Sequence, residues 1–151
     1  MDAADRPADT VLVACPQCLS LVRVPEARVD EHPKCPRCKA EVFAGEPVTL
    51  NAAAFEAHVE RATLPVLVDF WAPWCGPCRM MAPVVDRAAA QRATELRVAK
   101  INTDEQPQLA ARFGIRSIPT LILFREGREL ARHSGAADAA TLSRWLERAL
   151  A

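Results

Sequence analysis

The sequence predicts an α/β domain preceded by a small zinc ribbon, and three observations carry the prediction. All six cysteines fall into CxxC pairs, two of one kind and one of another. An apolar run, Leu64 to Ala72, stops just before the third pair, where a helix pattern begins. From Asn51 onwards, helical and strand periodicities alternate. The 151 residues hold one domain of ordinary size and an appendage, and an apolar fraction of 50% supplies a core.

Residues 1–10 read as a flexible N-terminus. The start, Met1-Asp2-Ala3-Ala4-Asp5-Arg6-Pro7, lacks the basic and apolar regions of a secretory signal, so a cytoplasmic location is expected. No run reaches the roughly 18 apolar residues of a spanning helix. Its best candidate, Leu64 to Trp74, is broken by Pro65, Asp69 and Pro73, so no membrane partner is expected. With 19 basic and 19 acidic residues, no net charge gathers nucleic acid or an anionic surface. A monomer is the expected state.

Residues 11–44 form the expected ribbon. In a reducing compartment, six cysteines argue for metal ligation or redox catalysis over a disulfide framework. Cys15-Pro16-Gln17-Cys18 and Cys35-Pro36-Arg37-Cys38 share a proline after the first cysteine, and 16 residues separate Cys18 from Cys35. That spacing suits one tetrahedral zinc ion held by Cys15, Cys18, Cys35 and Cys38, each pair spanning an edge across a sharp turn. Short strand-like runs follow each pair, Leu19 to Val24 and Ala40 to Phe43. Roughly 40 residues bury too little apolar surface to fold unaided, so the metal is the expected source of stability. Free thiols, two disulfides, or iron in the same tetrahedron are the alternatives. Counting the metal and its four thiolates, the module carries about one negative charge, a poor footprint for phosphate.

Gly45-Glu46-Pro47 is the expected linker, and residues 48–151 the α/β domain. Asn51 caps a helix with Phe55, Val59 and Ala62 on one face, and Leu64 to Ala72 is a central strand, apolar on both sides. A helix begins at the third pair, with Pro77 in its first turn and Pro83 further along. Leu96 to Asn102 is a strand, and Leu109 and Phe113 share a helix face ending at Gly114. Strands Thr120 to Phe124 and Glu129 to Ser134 flank a Glu126-Gly127 turn, and Asp138 caps a last helix with Leu142, Trp145 and Leu146.

The third pair, Cys75-Gly76-Pro77-Cys78, carries the chemistry. A cysteine where a strand ends and a helix begins meets unpaired N–H groups and the positive end of the macrodipole, which favours its thiolate. Cys75 is therefore the nucleophile, and Cys78, one turn on and on the same face, the resolving thiol. Asp69 stands in the apolar run Val66 to Trp71, where burial raises its pKa and fits it to accept the Cys78 proton.

The segment Val68-Asp69-Phe70-Trp71-Ala72-Pro73-Trp74-Cys75-Gly76-Pro77-Cys78-Arg79 resembles the active-site segment of thioredoxins. The likeness continues through Ala82-Pro83, Lys100 to Asp104, Ile115 to Thr120 and Gly135-Ala136, and with the ribbon it extends to the bacterial subtype thioredoxin 2. It implies a thioredoxin fold, a central mixed sheet flanked by helices, in the order β-α-β-α-β-α-β-β-α. It further implies a cis-Pro119 facing the Cys75 pair and a client groove bordered by Trp74, Ile118, Gly135 and Ala136. Asp69 is paired with Lys100 in the family, while Ser117 stands where many members have glycine.

The expected activity is general protein-disulfide reduction on disulfide-containing clients, recharged by an NADPH-dependent thioredoxin reductase, with no tightly bound organic cofactor. The ribbon is structural or responds to oxidative stress by losing its metal. The alternative is a zinc-dependent protein-binding module on a thioredoxin scaffold with incidental turnover. His32, His58 and His133 read as surface residues, and Met80 and Met81 as core filler.

Overall fold

The computed structural model describes residues 9–151. The expectation of a flexible tail falls largely on residues 1–8, outside that range. Thr10, the last residue assigned to that tail, is the first of strand β1 (Thr10–Ala14). β1 pairs antiparallel with β2 (Leu21–Pro25), with Val13 opposite Val22. The first cysteine pair makes the turn between them, and a 3-10 segment, Glu26–Glu31, leads towards the second.

The run Ala40 to Phe43 departs from expectation, contributing one isolated bridge, Lys34 to Glu41, and no strand. Pro33 and Pro36 on the facing segment have no N–H, so a ladder there cannot extend. The ribbon's second strand comes instead from ahead of Cys15, where Val11 and Val13 alternate with Thr10, Leu12 and Ala14.

The larger sheet is built from β3 (Val48–Thr49), β4 (Val66–Trp71), β5 (Arg97–Asn102), β6 (Thr120–Arg125) and β7 (Arg128–Ser134). Its order is β3-β5-β4-β6-β7. The first three run parallel, and β6 and β7 return antiparallel through a turn in which Glu126 and Gly127 both have positive φ. Among the described residues four helices cover it: α1 (Ala52–Phe55, continued by wider turns over Glu56–Glu60), α2 (Gly76–Gln91), α3 (Pro107–Arg112) and α4 (Ala139–Leu150). Asn51 and Asp138 cap α1 and α4, accepting from Ala54 N and Thr141 N.

Strand alternation sorts two cores onto the two faces. Val66, Val68, Phe70, Ile122 and Phe124 pack with Phe55 and Leu109 on the α1/α3 face. Leu67, Leu121 and Leu123 pack with Met81, Val85, Leu142 and Leu146 on the α2/α4 face. Asp69 shares the parity of Leu67, so β4 carries its carboxylate to the α2 side of the sheet.

The ribbon is seated on the α/β domain by a continuous apolar seam and by hydrogen bonds. Val13, Val22, Val24, Val42 and Phe43 pack with Leu64, and Ala93 closes over them. Leu12 N donates to Thr63 Oγ1 at 2.9 Å, and Thr63 N donates to Leu12 O at 2.8 Å. Thr63 and Leu64 precede β4, whereas Cys75 follows it, so ribbon and third cysteine pair occupy opposite ends of the parallel strands. No helix among the described residues is long and apolar enough to cross a membrane.

Candidate active site and metal centre

Cys75 is the N-cap of α2, and its sulfur accepts from Cys78 N at 3.1 Å. Cys75 and Cys78 are joined in a disulfide with their Cα atoms 5.3 Å apart, and both are buried. Gly76 and Pro77 fill the first turn between them, where the missing N–H of proline goes unused. A hydrogen-bonded cap at the positive end of a 16-residue helix is where a thiolate is favoured once the pair is reduced.

Three loops converge on this cap. The Ile118–Pro119 peptide is cis, and the Ile118 carbonyl lies 3.8 Å from Cys75 Sγ. Gly135 N donates to Pro119 O at 2.9 Å, tying the start of the Gly135-Ala136 segment to the proline. Nothing lies within 4 Å of where a Gly135 Cβ would stand, so its φ of +91° is the reason for glycine there. Trp74 is 69% exposed, and its Nε1 donates to Asp104 Oδ2 at 3.0 Å, which fixes the indole at the rim. In the sequence Asp104 only closes the thioredoxin-like stretch Lys100 to Asp104, and nothing local pairs it with Trp74. The Ser117 side chain is exposed, and its carbonyl accepts from Thr120 Oγ1 at 2.6 Å.

Asp69 is 1% exposed, and its Oδ1 has no hydrogen-bond partner. Burial pushes its carboxyl up to about 6, against the pull of the Lys100 ammonium. Lys100 sits directly across the parallel ladder from Asp69, with its Nζ 5.2 Å from the Trp71 ring centre. The two therefore interact through space rather than as a closed ion pair.

Two readings are corrected here. Met81 is buried as expected, but Met80 is 79% exposed, since the core-facing stripe of α2 is Cys78, Met81 and Val85 and Met80 falls outside it. His32 and His133 lie towards the surface, but His58 is buried beneath the ribbon. Burial, reinforced by the Arg97 charge, pulls its imidazole down to about 3, so it is neutral at physiological pH.

At the other end of the sheet, Cys15, Cys18, Cys35 and Cys38 bring their sulfurs within 4.8 Å of one another. Cys15 and Cys38 are 3.5 Å apart and Cys18 and Cys35 3.7 Å, against about 3.8 Å for the edge of a zinc–thiolate tetrahedron. The two knuckles repeat each other. Leu19 N bonds Cys15 O and Lys39 N bonds Cys35 O, and both residues take positive φ, 66° and 69°. Crowding separates the acidities: the Ser20 hydroxyl and N–H hold Cys18 down to about 6. Cys38 is pushed up to about 11, because the Ala40 N–H that favours its thiolate is outweighed by desolvation and three neighbouring sulfurs. A divalent cation at their centre removes that conflict, so the donor set fits a metal.

Comparison with known proteins agrees with this geometry. The family model described as Thioredoxin matches residues 46–148. The chain belongs to the thioredoxin family. A second model, described as Thioredoxin 2, N-terminal, matches residues 14–40, so the four-cysteine unit is the zinc-ribbon module of such thioredoxins. "Thioredoxin C-3" of Corynebacterium nephridii is 41% identical over 140 residues, covering 93% of this chain and 96% of that protein. "Thioredoxin 1" of a Nostoc species is 53% identical over 98 residues, 65% of this chain and 92% of its own. "Thioredoxin M-type, chloroplastic" of Chlamydomonas reinhardtii is 42% identical over 130 residues, 84% and 93% respectively. This thioredoxin is a thiol-disulfide oxidoreductase, with the Cys75–Cys78 pair at its active site.

Proposed function

We propose that the chain is a general protein-disulfide reductase of the cytoplasm, monomeric, and recharged by an NADPH-dependent thioredoxin reductase. Residues 48–151 carry the chemistry, joined by 45–47 to a ribbon over 11–44 that holds one zinc ion. The observation that carries this reading is the capped Cys75 sulfur facing the Ile118 carbonyl, with an unpartnered, proton-loving Asp69 buried on the α2 side of the sheet.

In the reaction, the Cys75 thiolate attacks one sulfur of a client disulfide and expels the other as a thiolate. Asp69, held near neutral acidity by burial, takes the Cys78 proton with Lys100 tempering its charge. Cys78 then attacks Cys75 Sγ, releases the client's second thiol and closes the Cys75–Cys78 disulfide. Two electrons pass from the protein to the client. Trp74, Ile118, Pro119, Gly135 and Ala136 border the groove, where an extended client segment adds against the Ile118 backbone. Cys15, Cys18, Cys35 and Cys38, which lie away from this path, would hold the zinc ion, and it would supply only a cross-link there.

Insulin precipitation driven by dithiothreitol tests the reading. Catalytic protein should accelerate it, and Cys78→Ser should accumulate a mixed disulfide on Cys75. No acceleration over dithiothreitol alone, together with no trapped adduct, overturns it.

A further inference from the structure

Arg97 is the buried charge that the redox chemistry does not use. It opens β5 among apolar neighbours, is 5% exposed, and among the described residues forms no ion pair with a carboxylate. Its side chain crosses from the α/β domain into the ribbon. There a single nitrogen, Nη2, donates to Ala14 O at 2.9 Å and to Val42 O at 3.0 Å. Ala14 is the residue immediately before the ligand Cys15, and Val42 lies two residues past the turn that follows Cys38. The bonds thus brace the ribbon at the base of both knuckles.

A guanidinium keeps its charge wherever it is placed, and burying one without a counter-charge is strongly unfavourable. The two carbonyl oxygens take up the two protons of Nη2 and leave the net charge unanswered. His58, buried at this seam, is neutral and answers nothing. The missing anion is on the ribbon: four thiolates around a divalent cation sum to two negative charges.

We propose that Arg97 completes the ribbon's metal centre from the α/β domain, as the buried counter-ion of the four-thiolate cluster. Metal retention then belongs to both modules. The ribbon holds its cation more tightly when seated, and by reciprocity the loaded cluster seats the ribbon more tightly. This inference rests on the reading that the four cysteines hold a divalent metal.

Zinc affinity of the full chain, measured by competition with a chromogenic chelator, tests it in wild type, Arg97→Met and Arg97→Lys. Methionine removes the charge while filling much of the volume, and lysine keeps the charge but not the planar group. Arg97→Met should weaken zinc binding by about 10- to 100-fold, the usual cost of losing a partner just outside the ligands. Arg97→Lys should recover most of that loss. Insulin reduction by the same samples reports that the α/β domain is folded, and Arg97→Gln replaces the methionine variant should that one not fold. Wild-type affinity in the neutral variant overturns the inference, as does an equal loss in Met and Lys, which assigns the effect to carbonyl bonding. Wild-type protein that takes up no zinc overturns the metal reading and this inference with it.

Discussion

Removing the Asp69 carboxylate should make the protein more stable at neutral pH, and the amount is set by the burial that suits this group to proton transfer. Its folded pKa is raised from 3.8 to about 6. The folded form therefore binds the proton more tightly than the unfolded chain. Stability from this group is fully present below about pH 4 and lost as pH rises through about 6. At about 1.4 kcal/mol per pH unit, the ionised carboxylate costs about 3 kcal/mol above that window and about 1 kcal/mol near pH 4.5. Asp69→Ala removes the cost but leaves a small void worth about 1 kcal/mol. The variant should thus exceed wild type by about 2 kcal/mol near pH 8 and match it near pH 4.5. Guanidinium unfolding of the oxidised proteins at both pH values measures the gap. His58 titrates alike in both and cancels. A gap that does not change with pH refutes the argument, because it would place the benefit in packing rather than in ionisation.

His58 carries the opposite sign. Its folded pKa is lowered from 6.5 to about 3, so the stability it confers is present above about pH 6.5 and lost as pH falls. Unfolding of His58→Leu should show a relative gain of about 2 kcal/mol on going from pH 7 to 4.5, and no such gain would mean that water reaches the imidazole. Zinc removal by a strong chelator should open residues 11–44 to protease, as mass spectrometry of the fragments would report, while insulin reduction by the α/β domain stays within about twofold. Loss of reduction in step with zinc would mean that the ribbon supports the redox site directly.

Much of the fold is legible in the sequence because local signals agree with tertiary need. Asn51 and Asp138 stand where helices must begin, Glu126-Gly127 is a turn that needs two positive φ values, and Leu64 to Ala72 is apolar on both sides because both faces of β4 are covered. The errors have physical causes. β1 lies in a segment whose neighbours are polar, and its strand character comes from its partner β2 and from Thr63 across the seam. Met80 is adjacent to a core methionine, and one helical position, 100° of rotation, separates buried from exposed. His58 lies at the seam with the ribbon residues Leu19 and Ala40, so its burial depends on tertiary contacts that the helix pattern does not show. Arg97 shows the same pattern as Asp69, a charge within an apolar strand, but no motif surrounds it.

The placement of these two charges separates the tasks of the molecule. Asp69 and Arg97 lie on adjacent parallel strands, but Arg97 is level with Val66, the first residue of β4, and Asp69 stands three residues on. Their parity differs as well: Asp69 is on the α2 side with Leu67, whereas Arg97 shares the parity of Ala99 and Ile101 on the α1/α3 side. Each is thus near the module it serves and screened from the other by the sheet between them. The ribbon therefore neither covers the Cys75–Cys78 pair nor donates a group to it. An influence of metal loss on disulfide exchange has to travel the length of β4, β5 or α2, just beyond whose far end Ala93 meets the ribbon, and such packed elements yield little. On the proposed reading, a metal cluster seated at the far end of the strands would give the chain a cross-linked, charge-braced base while leaving the Cys75 end open to disulfide clients.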